Sequence, residues 1–330
     1  MFGRYHGRAV RVLLLVGVCA LLAGGAAYLW ELRGYVAHLS DGDAQAGVYQ
    51  QDPERADRTA SAVLDGLVRE DPEPATDSKA FGAGGAPADW RSGGWQPSDP
   101  LEARPAPAEP ATGALFSPGV DADSDHHCSG VVVHSAGGDL MATAAHCVYR
   151  AGFRTNLAFV PGYREGVAPY GVWVPTRIDV DPRWIEDQDP DHDIAFVRLR
   201  RPGYPGQRLE DVTGAATIAF RPELPRPARV VGYPNAAEEP VDCRSTARAA
   251  GPTQLRLDCA DVPNGSSGGP VLTDGRTLIG VVGGRDGGGD EQTSYSVYFG
   301  DDVRALYERA AKGPNAAVSA PRQGRVPGAG

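Results

Sequence analysis

The chain has 330 residues, of which 32 are basic and 42 acidic, giving a formal net charge of −10. This acidic balance excludes the electrostatic footprint of a nucleic-acid-binding protein, so no nucleic-acid partner is expected. The length alone would allow two domains, but the composition changes along the chain and divides it into four segments.

The first segment contains an apolar stretch, residues 12–30, which has no charged side chain and follows three arginines. As a helix its 19 residues would rise about 28 Å, close to the roughly 30 Å hydrocarbon core of a bilayer. The basic flank predicts a cytoplasmic N-terminus and an extracytoplasmic location for everything after residue 30. A cleaved signal peptide, with Gly25-Ala26-Ala27 as its cleavage site, is the alternative. We favour the anchor, and both interpretations export the rest of the chain.

The second segment, residues 31–112, is acidic and rich in Pro, Ala and Gly. Its 7 basic and 15 acidic residues give a net charge of −8. Such a stretch repels itself and buries little apolar surface, which predicts a largely disordered stalk or linker. A short helix is predicted within it around residues 60–69, because four apolar side chains share one helical face: Ala60, Val63, Leu64 and Leu67.

The third segment, residues 113–312, has short apolar runs separated by Gly, Pro, Asp and Asn. Short runs with frequent turn signals predict an all-β sandwich or barrel. The runs cover residues 131–133, 157–160, 172–174, 194–199, 230–231, 278–282 and 295–299. Near its end, residues 301–311 have apolar side chains at helical spacing behind an acidic start, which predicts a terminal helix. The fourth segment, residues 313–330, has no apolar pattern and is expected to be a disordered tail.

A serine flanked by glycines is the first candidate for chemistry. Residues 265–270 read Gly-Ser-Ser-Gly-Gly-Pro, and such a run can form a tight turn that exposes the Ser267 hydroxyl next to free backbone N–H groups. The run also fits the G-x-S-x-G elbow of an α/β-hydrolase. That class requires a histidine after the serine, and the last histidine in the chain is His192. A histidine and an aspartate should therefore lie upstream of the serine.

Both partners are present upstream. His146 lies in the run Ala-Thr-Ala-Ala-His-Cys, and Asp193 follows it by 47 residues and precedes Ser267 by 74. Serine is a weak nucleophile, so a neutral imidazole must take its proton while a buried carboxylate fixes the imidazole tautomer. Ser267, His146 and Asp193 are the predicted nucleophile, general base and orienting acid, and Asp191 is the alternative to Asp193.

The segment from Thr143 to Cys147 resembles a signature of the trypsin-like serine proteases, and residues 193–196 resemble the family's Asp-Ile-Ala-Leu pattern. The resemblance implies two packed six-stranded antiparallel β-barrels with a C-terminal helix and a site in the cleft between the barrels. It also implies that the N–H groups of Gly265 and Ser267 stabilise the oxyanion, that substrates are proteins or peptides, and that no cofactor is required. We expect a monomer.

Four of the five cysteines lie in the protease-like segment. By resemblance, Cys128 and Cys147 staple the histidine loop, and Cys243 and Cys259 form a second bridge, although three connectivities remain open. Disulfides imply an oxidising compartment. The two histidines immediately before Cys128 raise the alternative of a metal site. Because adjacent side chains in a strand point to opposite faces, we predict none.

Two positions depart from the family pattern. Trypsin-type zymogens are activated when a new N-terminal amine pairs with an aspartate just before the nucleophile, where this chain has Ser266, and residues 113–116 contain no Ile-Val-Gly-Gly. The chain therefore resembles the bacterial glutamyl-endopeptidase-like branch more closely, in which the oxyanion loop does not depend on that salt bridge. Gly283 stands where the family carries a serine that supports the catalytic aspartate, so support for Asp193 must come from elsewhere.

Substrate preference is predicted from Asp261, Gly283 and Arg285. Asp261 lies six residues before Ser267, where trypsin-like enzymes carry the acid that binds Arg or Lys. Pro263 replaces the cysteine that the family usually carries between these two positions, so it stays open whether Asp261 aligns with the family's acid. The alternative is that Arg285, which follows the strand expected to form the pocket wall, binds an acidic side chain of the substrate. The resulting hypothesis is an exported, membrane-anchored serine endopeptidase that prefers basic residues. The alternatives are a catalytically silent protease-fold module that binds peptides at the cell surface, and a structural envelope protein.

Overall fold

The computed structural model describes residues 36–67, 95–119 and 126–312. The described residues from 40 onward belong to one compact unit, and those before residue 40 to another. The predicted membrane segment and the predicted C-terminal tail lie outside the described residues. Within the described parts of the chain, no helix is both long enough and apolar enough to cross a bilayer.

Strands dominate the structure. They are β1 (Leu39–Ser40), β2 (Val48–Gln50), β3 (Arg104–Pro105), β4 (Thr112–Phe116), β5 (His126–Val133), β6 (Leu140–Thr143), β7 (Phe153–Arg154), β8 (Ala158–Pro161), β9 (Val174–Val180), β10 (Ala195–Arg200), β11 (Thr217–Ile218), β12 (Arg226–Gly232), β13 (Val241–Ala249), β14 (Gln254–Leu257), β15 (Pro270–Thr273), β16 (Thr277–Val281) and β17 (Ser294–Val297). The α-helices are α1 (Pro53–Gly66), α2 (Ala145–Val148), α3 (Pro182–Asp187), α4 (Leu209–Thr213) and α5 (Asp301–Ala311). Two 3₁₀ turns cover Pro190–His192 and Arg285–Gly288.

Six strands form the first barrel in the order β8, β4, β5, β6, β10 and β9. An antiparallel bridge between Phe159 and Trp173, with N···O distances of 2.7 and 2.9 Å, joins β8 to the start of β9 and closes the ring. Closure leaves these six strands without a free edge between β8 and β9.

The second barrel also has six strands, in the order β16, β15, β12, β13, β14 and β17. A bridge between Val282 and Ser296 closes this ring. The predicted architecture of two six-stranded antiparallel barrels is confirmed. Of the five described strands outside the rings, three pair with ring strands: β2 with β9, β3 with β13, and β11 with β16.

The continuous apolar run in β5 reflects burial on both faces of the strand. Val132 points into the first barrel, while Val131 and Val133 belong to a separate cluster that includes side chains of β6, β16 and helix α5. Since successive side chains of a strand point to opposite faces, a strand buried on both sides shows no polar alternation.

The predicted terminal helix is confirmed as α5. Its Val303, Leu306 and Ala310 are buried, and the Arg198 guanidinium donates to the Ala310 carbonyl at 2.6 Å. A cation at the last turn of the helix stabilises carbonyls that have no partner within it.

The prediction of a disordered stalk over 31–112 is wrong for the part that the structure describes. Strand β2 pairs with β9, and α1 buries Ala56, Ala60 and Val63 against the first barrel. The helix begins at Pro53, earlier than predicted, because the Asp52 carboxylate accepts the Arg55 N–H at 2.8 Å and so caps it. Composition concealed this element because its buried face consists mainly of small side chains.

Candidate active site

The histidine and the aspartate predicted from the sequence lie next to each other. His146 belongs to α2, directly after β6, and Asp193 follows the 3₁₀ turn that leads into β10. The Nδ1 of His146 lies 2.7 Å from Oδ2 of Asp193, and its backbone N–H donates to Oδ1 at 2.9 Å. Asp193 is 1% exposed, so the imidazole is oriented by a carboxylate shielded from water.

Further support for Asp193 comes from the backbone of Gly284, whose N–H donates to Oδ2 at 2.8 Å. A Cβ at Gly283 would lie 2.9 Å from the same oxygen, so the carboxylate occupies the space of a side chain there. Burial raises the pKa of Asp193, but the charge and hydrogen bond of His146 and the N–H of Gly284 outweigh it. The net effect is a pKa below the ordinary value, which keeps the carboxylate ionised.

Asp191, the alternative acid, makes different contacts. Its Oδ1 accepts a hydrogen bond of 2.8 Å from the Gln254 side chain, which also accepts the Arg285 N–H at 3.2 Å. Among the described residues, the acid that hydrogen-bonds to His146 is Asp193. Gln254 was not singled out in the sequence, and nothing in the local pattern marks it.

Two carbonyl anchors fix the loop that carries Ser267. The Asn264 carbonyl accepts the Asn235 N–H at 2.9 Å, and the Ser266 carbonyl accepts the Gly269 N–H at 2.9 Å. In a trans peptide the N–H points opposite to the carbonyl, so the N–H groups that follow these carbonyls, those of Gly265 and Ser267, point the other way. Neither N–H has a hydrogen-bond partner among the described residues.

Gly265 is required by this geometry. Its φ is +95°, and a Cβ there would lie 2.2 Å from the Asn235 nitrogen. Only glycine combines a positive φ with such a close backbone approach.

A cleft of about 490 Å³ brings the predicted triad and oxyanion residues together: His146, Asp193, Gly265 and Ser267 all line it. An imidazole held by a carboxylate, a hydroxyl and two free N–H groups around one space form a constellation suited to acyl transfer. No step of that chemistry needs a metal or an organic cofactor.

A second pocket, of about 580 Å³, opens next to Ser267. It is lined by the carboxylate residues Asp261, Asp286, Asp290 and Glu291, and no basic side chain of the described residues lines it. Sequence reasoning selected only Asp261. The missed acids flank the glycine run at 287–289, and that cluster of charge was visible in the sequence.

Two residues assigned to this pocket from the sequence lie elsewhere. Arg285 stacks over the Tyr295 ring at 5.5 Å and does not line the pocket. Gly283 lies against Asp193. Arg285 was misplaced because the chain turns into the 3₁₀ segment directly after the wall strand, and this turn carries the guanidinium outward onto the aromatic face.

Both predicted disulfides are present, Cys128–Cys147 with Cα atoms 6.0 Å apart and Cys243–Cys259 with Cα atoms 6.2 Å apart. The first joins β5 to the helix that carries His146. Because both of its sulfurs are bonded to each other, neither is a thiolate ligand for a metal.

Ser266 occupies the position of the zymogen aspartate. The side chain is 1% exposed, and its hydroxyl has no hydrogen-bond partner among the residues described. Gly232 approaches so closely that a Cβ there would lie 2.4 Å from the Ser266 Cβ. A small neutral side chain thus fills the place where trypsin-type enzymes bury an ion pair.

Comparison with known proteins decides the family. Residues 128–281 match the family model of the trypsin-like peptidase domain. The chain carries a trypsin-like peptidase domain. This peptidase has a fold similar to that of the protease Anisep from Arthrobacter nicotinovorans, at 26% identity and a TM-score of 0.56, with 63% of this chain and 99% of that one covered.

Two further structures share the peptidase fold. A thermostable serine protease, AL20, from an extremophilic microorganism is 27% identical over 62% of this chain and 97% of its own, with a TM-score of 0.53. A Glu endopeptidase solved with MPD is 15% identical over 64% and 97%, also with a TM-score of 0.53. This last likeness concerns the fold alone.

Proposed function

We propose that this peptidase is exported and membrane-anchored, and that it cleaves peptide bonds after basic residues with Ser267, His146 and Asp193 as its triad. The observation that carries the proposal is the buried Asp193 carboxylate bound to His146 at 2.7 Å, in a cleft that Ser267 also lines.

The mechanism follows from these positions. His146 Nε2 takes the proton of the Ser267 hydroxyl as its oxygen attacks the scissile carbonyl carbon, and the resulting oxyanion accepts the N–H groups of Gly265 and Ser267. His146 then donates that proton to the leaving amine, and an acyl-enzyme remains on Ser267. A water molecule, deprotonated by His146, releases the acyl group. Asp193 stays ionised throughout and stabilises the imidazolium.

The preference for basic residues rests on the charge of the pocket beside Ser267. Within the part of the chain that the structure describes, four acidic residues and no basic one line it, so an Arg or Lys side chain entering it exchanges its hydration for carboxylate partners. An acidic side chain would meet only repulsion, and Arg285 is turned away onto Tyr295.

Export is supported by the two disulfides, which persist in oxidising compartments. Residues 12–30, proposed as the anchor, lie outside the described residues. Membrane fractionation of cells that express the full chain, with protease added outside intact cells, tests orientation. Recovery of the catalytic segment in the cytosol would contradict the proposal.

The function is tested with the full chain purified in detergent. We expect an active-site fluorophosphonate to label Ser267, and cleavage of a mixed peptide library, read by mass spectrometry, that disappears in Ser267→Ala. A folded wild type that is neither labelled nor active would contradict the proposal and favour the silent peptide-binding module.

The charge preference has its own test. Asp261→Asn should lower kcat/KM for peptides with Arg before the cleaved bond by about tenfold, or ~1.4 kcal/mol, and leave peptides with Leu there unchanged. Asp274→Asn is the matched control, since Asp274 has a φ of 52° against 53° for Asp261 and does not line the pocket. An equal loss for both peptides would contradict a role of Asp261 in selectivity.

A further inference from the structure

Ser129 in β5 joins the first barrel to the loop that carries Ser267. The side chain is 1% exposed, and the residue uses every polar group it has. Its N–H donates to the Ser267 carbonyl at 2.7 Å, and its own carbonyl accepts the Thr143 hydroxyl at 2.8 Å. The Ser129 hydroxyl donates to the Gly265 carbonyl at 2.9 Å and accepts the Tyr233 N–H at 2.7 Å.

The direction of the hydroxyl hydrogen bond is fixed by its surroundings. A serine hydroxyl has one proton to donate. Tyr233 offers an N–H, which can only donate, and Gly265 offers a carbonyl, which can only accept. The Ser129 proton must therefore point at the Gly265 carbonyl, and the hydroxyl rotor has one orientation.

Ser129 completes the anchoring of the loop. The carbonyls of Asn264 and Ser266 are held by the N–H groups of Asn235 and Gly269, and these two contacts direct the oxyanion donors. The carbonyls between and after them, those of Gly265 and Ser267, are both held by Ser129. Four consecutive peptide planes are thereby fixed.

Tyr233 and Asn235 follow strand β12 of the second barrel, whereas Ser129 lies in the first. Residues of both barrels therefore hold the loop through hydrogen bonds. Ser266, the neighbour of the nucleophile, makes no side-chain hydrogen bond among the described residues, so the anchoring comes from the backbone carbonyls and from Ser129.

We propose that Ser129 is a positioning residue that holds the oxyanion loop in its catalytic shape, in the role that a buried N-terminal ion pair has in zymogen-activated enzymes. The proposal rests on the proposed function of Ser267 and its loop. Ser129 does not touch the substrate. Its hydroxyl fixes the Gly265–Ser266 peptide, and this restrains Gly265, whose own N–H faces the developing negative charge.

Loss of the Ser129 hydroxyl should weaken binding of the transition state and leave binding of the substrate in the ground state almost unchanged. Loss of one oxyanion donor costs about 100- to 1000-fold in rate. Without the Ser129 hydroxyl the Gly265 donor is present but poorly fixed, so the loss should be smaller, about 10- to 100-fold in kcat. Because the substrate's side chains bind elsewhere, KM should change by less than about threefold.

The test compares Ser129→Ala with Ser135→Ala in the full chain. Ser135 is also a buried serine, 2% exposed, and its hydroxyl accepts the Gly138 N–H at 3.0 Å in the turn between β5 and β6. Kinetics with the best library peptide, affinity for a boronic acid built on that peptide, and thermal denaturation are measured for both. Ser129→Ala should lose kcat and boronate affinity by similar factors, whereas Ser135→Ala should keep both within about twofold.

Each outcome separates the two proposals. An active wild type whose Ser129→Ala variant keeps kcat and boronate affinity would overturn the role of Ser129 and leave the proposed function intact. A folded wild type without activity would overturn the proposed function itself. If Ser129→Ala does not fold, Ser129→Cys replaces it. A thiol is a weaker donor than a hydroxyl, so an intermediate kcat with unchanged KM is expected, and a wild-type kcat would overturn the proposal.

Discussion

Asp193 accepts three hydrogen bonds on its two carboxylate oxygens, two from His146 and one from Gly284. All three partners donate, so both terminal atoms of the side chain must be hydrogen-bond acceptors. An ionised carboxylate offers this, and an amide of the same shape does not. The chemical identity of the side chain therefore matters here more than its volume.

We predict that Asp193→Asn preserves the fold and lowers kcat by about 10⁴-fold. The amide NH₂ would face an N–H donor and favour the wrong imidazole tautomer, the effect known from the corresponding change in a serine protease triad. Peptide hydrolysis measures it, with circular dichroism as the check on folding. Asp191→Asn is the control and should change kcat by no more than a few-fold. A comparable loss in both variants would contradict the assignment of Asp193.

His127 makes stability depend on pH. One ring nitrogen bonds the Cys147 carbonyl at 3.0 Å, while the buried Nδ1 has no hydrogen-bond partner among the described residues. Burial, with the charge of Arg154, lowers the pKa of His127 from 6.5 to about 3. Between these values the unfolded chain binds a proton that the folded protein does not, so stability falls as the pH drops below 6.5.

The expected loss from His127 is about 2 kcal/mol at pH 5 relative to neutral pH. Urea denaturation at a series of pH values measures it. His127→Gln should flatten the profile over this range. His134→Gln is the comparison at an exposed histidine, which pairs with Glu210. A profile unchanged by His127→Gln would show that other groups control acid stability.

Helix α1 is bound to the barrel by small side chains, and its role is predicted at the level of the element. Ala60 is 2% exposed and packs in the cluster that includes Ala158, Val160 and Tyr163. Its neighbour Ser61 is exposed. A charge introduced at buried Ala60 should therefore disturb the docking of α1, whereas the same charge at exposed Ser61 tests the effect of charge alone.

We expect Ala60→Glu to destabilise the protein by about 3 kcal/mol or to release α1, because a carboxylate would be buried without a partner. Ser61→Glu should have no effect beyond about 0.5 kcal/mol. Thermal denaturation and limited proteolysis between residues 53 and 66 measure both. If the two variants behave alike, α1 is not docked in solution.

The sequence predicted elements whose pattern was local. The apolar run of β5 and the helical spacing of α5 were recognised because burial on both faces, or on one helical face, leaves a direct trace in the order of residues. Helix α1 was placed too late and β2 was missed. Their buried side chains are few and small, and whether an alanine faces a barrel or water depends on a partner distant in sequence.

The candidate site likewise combines residues that the sequence predicted with contacts that it did not. His146, Asp193, Ser267 and the disulfide partners were predicted because each lies in a short signature or pairs by resemblance. The support from Gly284 and the four contacts of Ser129 were not, since they depend on backbone direction after long-range folding. Arg285 was misassigned for this reason, because a turn of the chain decides which way its guanidinium points.

At the scale of the whole molecule, the anchoring of the oxyanion loop by internal contacts predicts activity without a free N-terminal amine. The uncut full chain should have the same kcat/KM as the chain cut at a protease site inserted between residues 67 and 95, ahead of the catalytic segment, within about twofold. Trypsin-type enzymes would gain activity on such cleavage. A gain of about 100-fold or more would show that an N-terminal ion pair contributes after all.

The two sections of chain that precede β4 are held by different barrels. Residues 40–67 are fixed to the first through β2, and the Arg309 guanidinium donates to the Ala46 carbonyl at 2.8 Å. Residues 98–105 are fixed to the second, where β3 pairs with β13 and the Ala260 N–H donates to the Leu101 carbonyl at 2.8 Å. A single proteolytic nick between residues 67 and 95 would therefore not shed the catalytic part, because the two fragments would stay assembled until the barrels themselves unfolded.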